Sequence, residues 1–188
     1  MKILHTTLFA LTLIAGPALA QVVPDVYVEY ETVLAQEGES EQEFVMRVAP
    51  TLAYLTKATG WEVCGVLAQG EAGMGVVLTS SQATTACVLR ADLVPPGMEA
   101  TTRSIHSHPG PNSKDVGFTD MDHHLAHASG HRLTIARGQD QHKRNRNRTQ
   151  RGGFSTQDFQ MGPGYLVLER EVLYQEGFGT ASRVGRLN

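Results

Sequence analysis

His106-Ser107-His108-Pro109 sets two imidazoles two residues apart. If this segment ends a strand, side chains at i and i+2 share a face, so the pair can chelate one ion. A pair is not yet a site, because a solvated strand face looks the same. Catalytic zinc takes three protein ligands and keeps a fourth position for water. Asp122 is the candidate third donor: Thr119-Asp120-Met121-Asp122 opens a helix just beyond the His-Pro loop, which returns the helix start toward the strand end. The same residues also read as a helix cap, with Thr119 at the cap position and an acid three residues on. On spacing alone the cap is the better reading. The two uses are compatible, since a cap leaves a carboxylate oxygen free.

Hydrolysis also needs a base. Trp61-Glu62-Val63-Cys64-Gly65-Val66-Leu67 places a single carboxylate in an otherwise apolar strand. An unpaired carboxylate in such surroundings is costly, so Glu62 needs a partner or a raised pKa, and water on a metal would be such a partner. The plain alternative is an edge-strand residue facing solvent.

Taken together, a strand glutamate in Glu62-x-Cys64-Gly65-x-Leu67, then His106-x-His108-Pro109, then Thr119-x-x-Asp122, resembles the JAMM or MPN-plus (JAB domain) metallopeptidases, well over residues 60–136 and more loosely beyond. The resemblance implies a JAB/MPN-like domain and one Zn2+ per chain on His106, His108 and Asp122. It also implies Glu62 as the acceptor of a proton from zinc-bound water, and Thr119 in place of the family serine that steadies the oxyanion. The bond cleaved would be a peptide or isopeptide amide. Two departures stand out: the spacer between His108 and Thr119 is longer than the family's, so its loop must bulge, and threonine adds a methyl where the family has serine. Asp115 and Asp120 are weaker substitutes for Asp122, because neither follows Ser or Thr at the family's spacing.

Other zinc hydrolases fit less well. A metallo-β-lactamase pattern would want Asp-His where Gly110-Pro111 stands. His123 and His127 have zincin spacing, but His124 occupies the place of the required glutamate. These three histidines read as helix-surface or supporting residues. The alternative outside enzymes is an inert, metal-stabilised binding or inhibitor module.

The elements that must position these groups follow from periodicity. Val26 to Val33 alternates like an edge strand. Ser40 with Glu43 forms a capping box that starts a helix reaching Ala58, stopped by Gly60 and interrupted at Pro50, which either kinks or restarts it. Trp61 to Leu67, Gly75 to Thr79, Thr85 to Arg90 and Thr102 to Ser107 read as strands of one sheet. A helix is expected over Asp120 to Ser129, a strand over Arg132 to Ala136, and a closing pair of strands at Tyr165 to Leu168 and Val172 to Tyr174. The class is α/β (α+β), a single domain with a central mixed sheet flanked by helices.

Lys2, the apolar run from Ile3 to Ala15 and the small residues of Ala18-Leu19-Ala20 read as a signal peptide over 1–20, with a domain over 21–188. A membrane anchor fits less well: His5, Thr6 and Thr7 break the run, which falls short of the roughly 20 residues of a spanning helix. The expected product is exported, periplasmic or secreted, with no membrane span. Formal net charge is only −3. Its distribution says more: acids crowd residues 25–43, and His142, Lys143, Arg144, Arg146, Arg148 and Arg151 form a basic loop at about 137–153 that is open to an anionic partner. Without interleaved aromatics or a glycine-rich phosphate loop, nucleic acid is not an expected partner. Peptide, protein or peptidoglycan-peptide substrates all suit an exported hydrolase. Cys64 and Cys87 can form a disulfide or stay as two buried thiols, and sequence leaves this open.

Overall fold

A computed structural model describes residues 27–128 and 153–187. The expected signal peptide, the strand at Arg132 to Ala136 and almost all of the basic loop lie outside the described residues. Ten elements run in chain order: β1 (Val28–Leu34), α1 (Glu41–Thr59), β2 (Cys64–Gly70), β3 (Gly73–Ser80), β4 (Glu99–Ser107), α2 (Asp120–Ala128), α3 (Thr156–Gln160), β5 (Gly164–Val167), β6 (Glu171–Gln175) and β7 (Ser182–Arg186). The strands form one mixed sheet of seven in the order β1-β3-β2-β4-β5-β6-β7. Every pairing is antiparallel except β4 with β5, where Ser104 to Ser107 run parallel to Gly164 to Val167. A parallel pair cannot be closed by a tight turn, so the chain makes a long crossover through α2 and α3 between these two strands.

Helix α1 starts where the capping box requires. The Ser40 hydroxyl accepts from Glu43 N, Glu43 reaches back to Ser40 N at 2.9 Å, and Gly60 ends the helix at φ 77°. The helix is continuous through Pro50, which sits on its exposed side, where water can serve the carbonyl left without a donor. Phe44, Val45, Val48, Ala49 and Leu52 lie on the opposite side at helical spacing. They pack with Val63, Leu67, Val76, Ile105 and Val167 of the sheet region as one core. Burying each of these larger side chains is worth about 1.5–3 kcal/mol. Because strand side chains alternate, Val63 and Ile105 point at α1 while their neighbours Glu62, Cys64, Ser104 and His106 point to the other side. The site is built on that second side.

Two expectations need correction, and two elements are added. Strand β2 begins at Cys64 rather than Trp61; Glu62 precedes it, held by Glu62 N to Ala83 O at 2.8 Å and by Ser80 Oγ to Glu62 O at 2.7 Å. Thr85 to Arg90 is not a strand. The Thr85 amide and hydroxyl both donate to Asp122, Val88 N donates to Ser81 Oγ, and Cys87 is disulfide-bonded to Cys64 at a Cα separation of 6.0 Å, so this segment's polar groups are spent on side chains instead of a ladder. Finally, α3 and β7 were not expected. Among the described residues no helix is long and apolar enough to cross a membrane.

Candidate metal centre

The site follows from the sheet register. Cys64 pairs with His106 and Gly65 with Ile105 across β2 and β4, and Ser107 N donates to Val63 O at 2.9 Å. One pair further on, Glu62 falls opposite His108, and His108 Nε2 lies 3.8 Å from Glu62 Oε1. The far end of β4 is fixed from the α1 side, where Ser107 Oγ shares a buried hydrogen bond of 2.5 Å with Thr56 Oγ1 and meets the Val63 amide at 3.1 Å. The His-Ser-His strand end is thus clamped between β2 and α1. After it, the loop of residues 108–119 is pinned to the end of α1: Lys114 N donates to Lys57 O at 2.9 Å, and Lys114 O would stand 2.2 Å from any Cβ at position 60. Gly60 is needed there both for its left-handed backbone and for that close approach.

His106, His108 and Asp158 form the donor group. One ligand atom from each lies within 4.8 Å of the others. Asp158 Oδ1 is 3.3 Å from His106 Nε2 and Oδ2 is 3.5 Å from His108 Nε2, with all three side chains at least 86% buried. His106 Nε2 and His108 Nδ1 have no hydrogen-bond partner, an arrangement that burial penalises unless some other group meets a ring nitrogen. The electrostatics favour coordination. Burial, then His106, pulls the His108 imidazole down to about 4 against the opposing pull of Asp158, so it is neutral with a lone pair. Burial alone would raise the Asp158 carboxyl, but the two imidazoles and the Ser155 amide hold it at about 2, so it is ionised. Glu62, fully enclosed, is pushed well above the usual carboxylate range by burial first and by Asp158 and Asp122 second. Two imidazoles and one carboxylate, all N and O donors, suit a divalent transition ion.

Asp158 is carried on α3. Ser155 and Asp158 make a second capping box, with Ser155 N to Asp158 Oδ2 at 2.5 Å and Asp158 N to Ser155 Oγ at 3.2 Å. Gln175, buried on β6, grips this turn by donating to Asp158 O at 3.3 Å and Gly162 O at 2.5 Å. Beside the group is a small cavity of about 40 Å³ whose walls include Glu62, Thr85, Ser104, His106, Ser155 and Asp158. It has room for water-sized molecules.

Of the residues anticipated from sequence, Glu62, His106 and His108 come together. Asp122 and Thr119 do not join them. Asp122 is buried at the start of α2 and accepts six hydrogen bonds: from the amide and hydroxyl of Thr84 (2.9 and 3.0 Å), of Thr85 (2.9 and 2.7 Å) and of Thr119 (2.7 and 3.0 Å). A carboxylate offers about four lone-pair sites, so none is left for a metal. Thr119 is committed in turn, donating to Asp122 and accepting from Asp122 N at 3.2 Å. The cap reading of this pair is the one the geometry bears out. Asp115 and Asp120 are exposed.

Asp158 was missed, although a signal for it exists. Ser155-Thr156-Gln157-Asp158 repeats the hydroxyl-x-x-acid spacing of Thr119 to Asp122, with serine in the first place. Distance along the chain hides it, for only the parallel β4–β5 pairing brings this turn to the end of β4. The comparisons with known proteins add no name: no family model, no curated protein and no solved structure matches the chain.

Proposed function

We propose that this chain is a zinc-dependent hydrolase, one ion per chain, that cleaves a peptide or isopeptide amide bond in the manner of the JAMM metallopeptidases. The observation that carries the reading is the convergence of His106, His108 and Asp158 within 4.8 Å beside the buried Glu62. A binding or structural site has no use for a carboxylate at that place. When bound, zinc supplies Lewis acidity toward a carbonyl and makes water acidic near neutral pH.

The rest belongs to the protein. His108 is held as a neutral donor by burial, His106 supplies the second imidazole, and Asp158 brings the negative charge that favours a cation. Glu62 is the proton carrier: its carboxyl is raised by burial and by two acids, and any positive charge nearby shifts it toward the carboxylate that a general base needs. The hydroxyls of Ser104 and Ser155 line the same small cavity and are placed to orient water or a developing oxyanion. Asp158 replaces Asp122 as the acid of the family pattern. The JAB-like fold and an exported, periplasmic or secreted location belong to the same proposal, the latter supported by the Cys64–Cys87 disulfide, since such bonds persist in oxidising compartments.

Elemental analysis of protein purified without added metal, beside a His106→Ala/His108→Ala variant, tests the centre. About one zinc per chain, lost in the variant, is expected for a three-ligand site. Iron instead of zinc would redirect the reading, because two histidines and a carboxylate also suit ferrous oxygenases. A Glu62→Gln protein should hold zinc without hydrolysing amide substrates; retained turnover would remove Glu62 from its role. A zinc-loaded protein inert toward every amide, with partner binding indifferent to Glu62→Gln, would favour the metal-stabilised binding module.

A further inference from the structure

A larger cavity opens on the other side of the His108 strand end. It has a volume of about 470 Å³ and is formed by the second half of α1, the loop at 110–113 and the β5–β6 turn. That is the size of a small-ligand site, which runs roughly 300–1,000 Å³. Ser107 and His108 close its inner end, and Ala53, Val167, Leu168 and Leu187 give it aliphatic walls. Two cations line it: Lys57 from α1 and Arg170 from the turn, both exposed and neither with a side-chain partner among the described residues. The acid of the lining, Glu169, is engaged by Asn112 Nδ2 at 2.5 Å. An apolar body with two cations to one acid, net positive by one, complements a ligand that is aliphatic with one anionic end.

We propose that this cavity receives the free carboxyl terminus of a peptide ending in an aliphatic residue, with the α-carboxylate between Lys57 and Arg170 and the aliphatic side chain against Val167 and Leu187. The peptide then reaches inward as far as His108, and peptides with a free aliphatic carboxyl end are the substrate class. This substrate class rests on the hydrolase reading; the binding itself does not.

Calorimetric titration of the full chain with acetyl-trileucine and with its C-terminal amide tests the assignment. The acid should bind about tenfold or more tightly than the amide, as expected for a charge-assisted contact. Lys57→Gln/Arg170→Gln, two exposed substitutions checked for an unchanged melting temperature, should bring the acid down to the level of the amide. Equal affinity for acid and amide, no binding of either, or an undiminished preference in the double variant would overturn the proposal. Asp158→Asn, which leaves the cavity lining intact, separates the two readings. Preference for the acid should persist in that variant while its metal is lost; preference that persists in wild-type protein that holds no metal keeps the cavity assignment while the hydrolase reading falls.

Discussion

Two aspartates, Asp122 buried and Asp158 partly so, sit three residues after a hydroxyl side chain, each in the first turn of a helix, and they have opposite surroundings. At α2, Asp122 is met by six donors from Thr84, Thr85 and Thr119 and is closed off from any further ligand. At α3, Asp158 takes the Ser155 amide and turns both oxygens toward His106 and His108. Local sequence makes the two turns nearly equivalent. What separates them is the number of donors that the rest of the chain delivers: a saturated carboxylate is a structural fastener, and an under-coordinated one beside two imidazoles can serve as a ligand.

That contrast can be broken most directly by removing one charge at a time. Asp158→Asn should weaken zinc binding on the order of 10³-fold with little change in unfolding free energy, since even an outer-shell partner is worth 10–100-fold; competition against a chelating dye measures it. If Asp122→Asn produced that loss instead, the assignment of the two aspartates would be reversed. Next in size is the staple that holds the donors of Asp122 in place. Cys64→Ser/Cys87→Ser, opening a bond between residues separated by 23 in sequence, should cost about 3 kcal/mol in urea unfolding. Asp122→Asn itself should cost about 2 kcal/mol by turning a lone-pair site into a donor facing donors, while metal content stays at the wild-type level. The smallest effect comes from a half-buried acid at the surface. Arg47, through its hydrogen bonds above all, holds Glu39 at about 2. A depressed carboxylate pKa stabilises the fold above the unfolded value and loses that contribution as pH falls from about 4.5 to about 2. For a surface pair the total is under about 1 kcal/mol, and Glu39→Gln should flatten the acid limb of the stability curve by that amount.

Much of this was legible in advance, for reasons that can be named. Ser40, Glu43 and Gly60 bound α1 because caps are local chemistry. His106 and His108 share a face because strand periodicity is local too. Glu62 stood out as a lone acid among apolar residues, and the β2–β4 register delivered it to His108. Thr85 to Arg90 misled because valine, leucine and cysteine in a row look like a strand whether or not a neighbouring strand is free to pair; here the segment's polar groups are drawn to Asp122, Ser81 and Cys64. The choice between Asp122 and Asp158 was not local at all. It depends on a parallel pairing between strands more than fifty residues apart, which no spacing rule reaches.

The crossover that this parallel pairing requires holds α2, α3, the His108 loop and Asp158, while the sheet and α1 contribute only Glu62, His106 and the clamp on Ser107. The chemistry is therefore divided between the frame and one separate stretch of chain. A lineage could lengthen or rewrite the segment between β4 and β5, and with it the acid, the cavity walls and the choice of substrate, without repacking the core that keeps the two histidines in register. The domain is in this sense a socket with an exchangeable insert, and new specificity would be sought by recombining that one stretch.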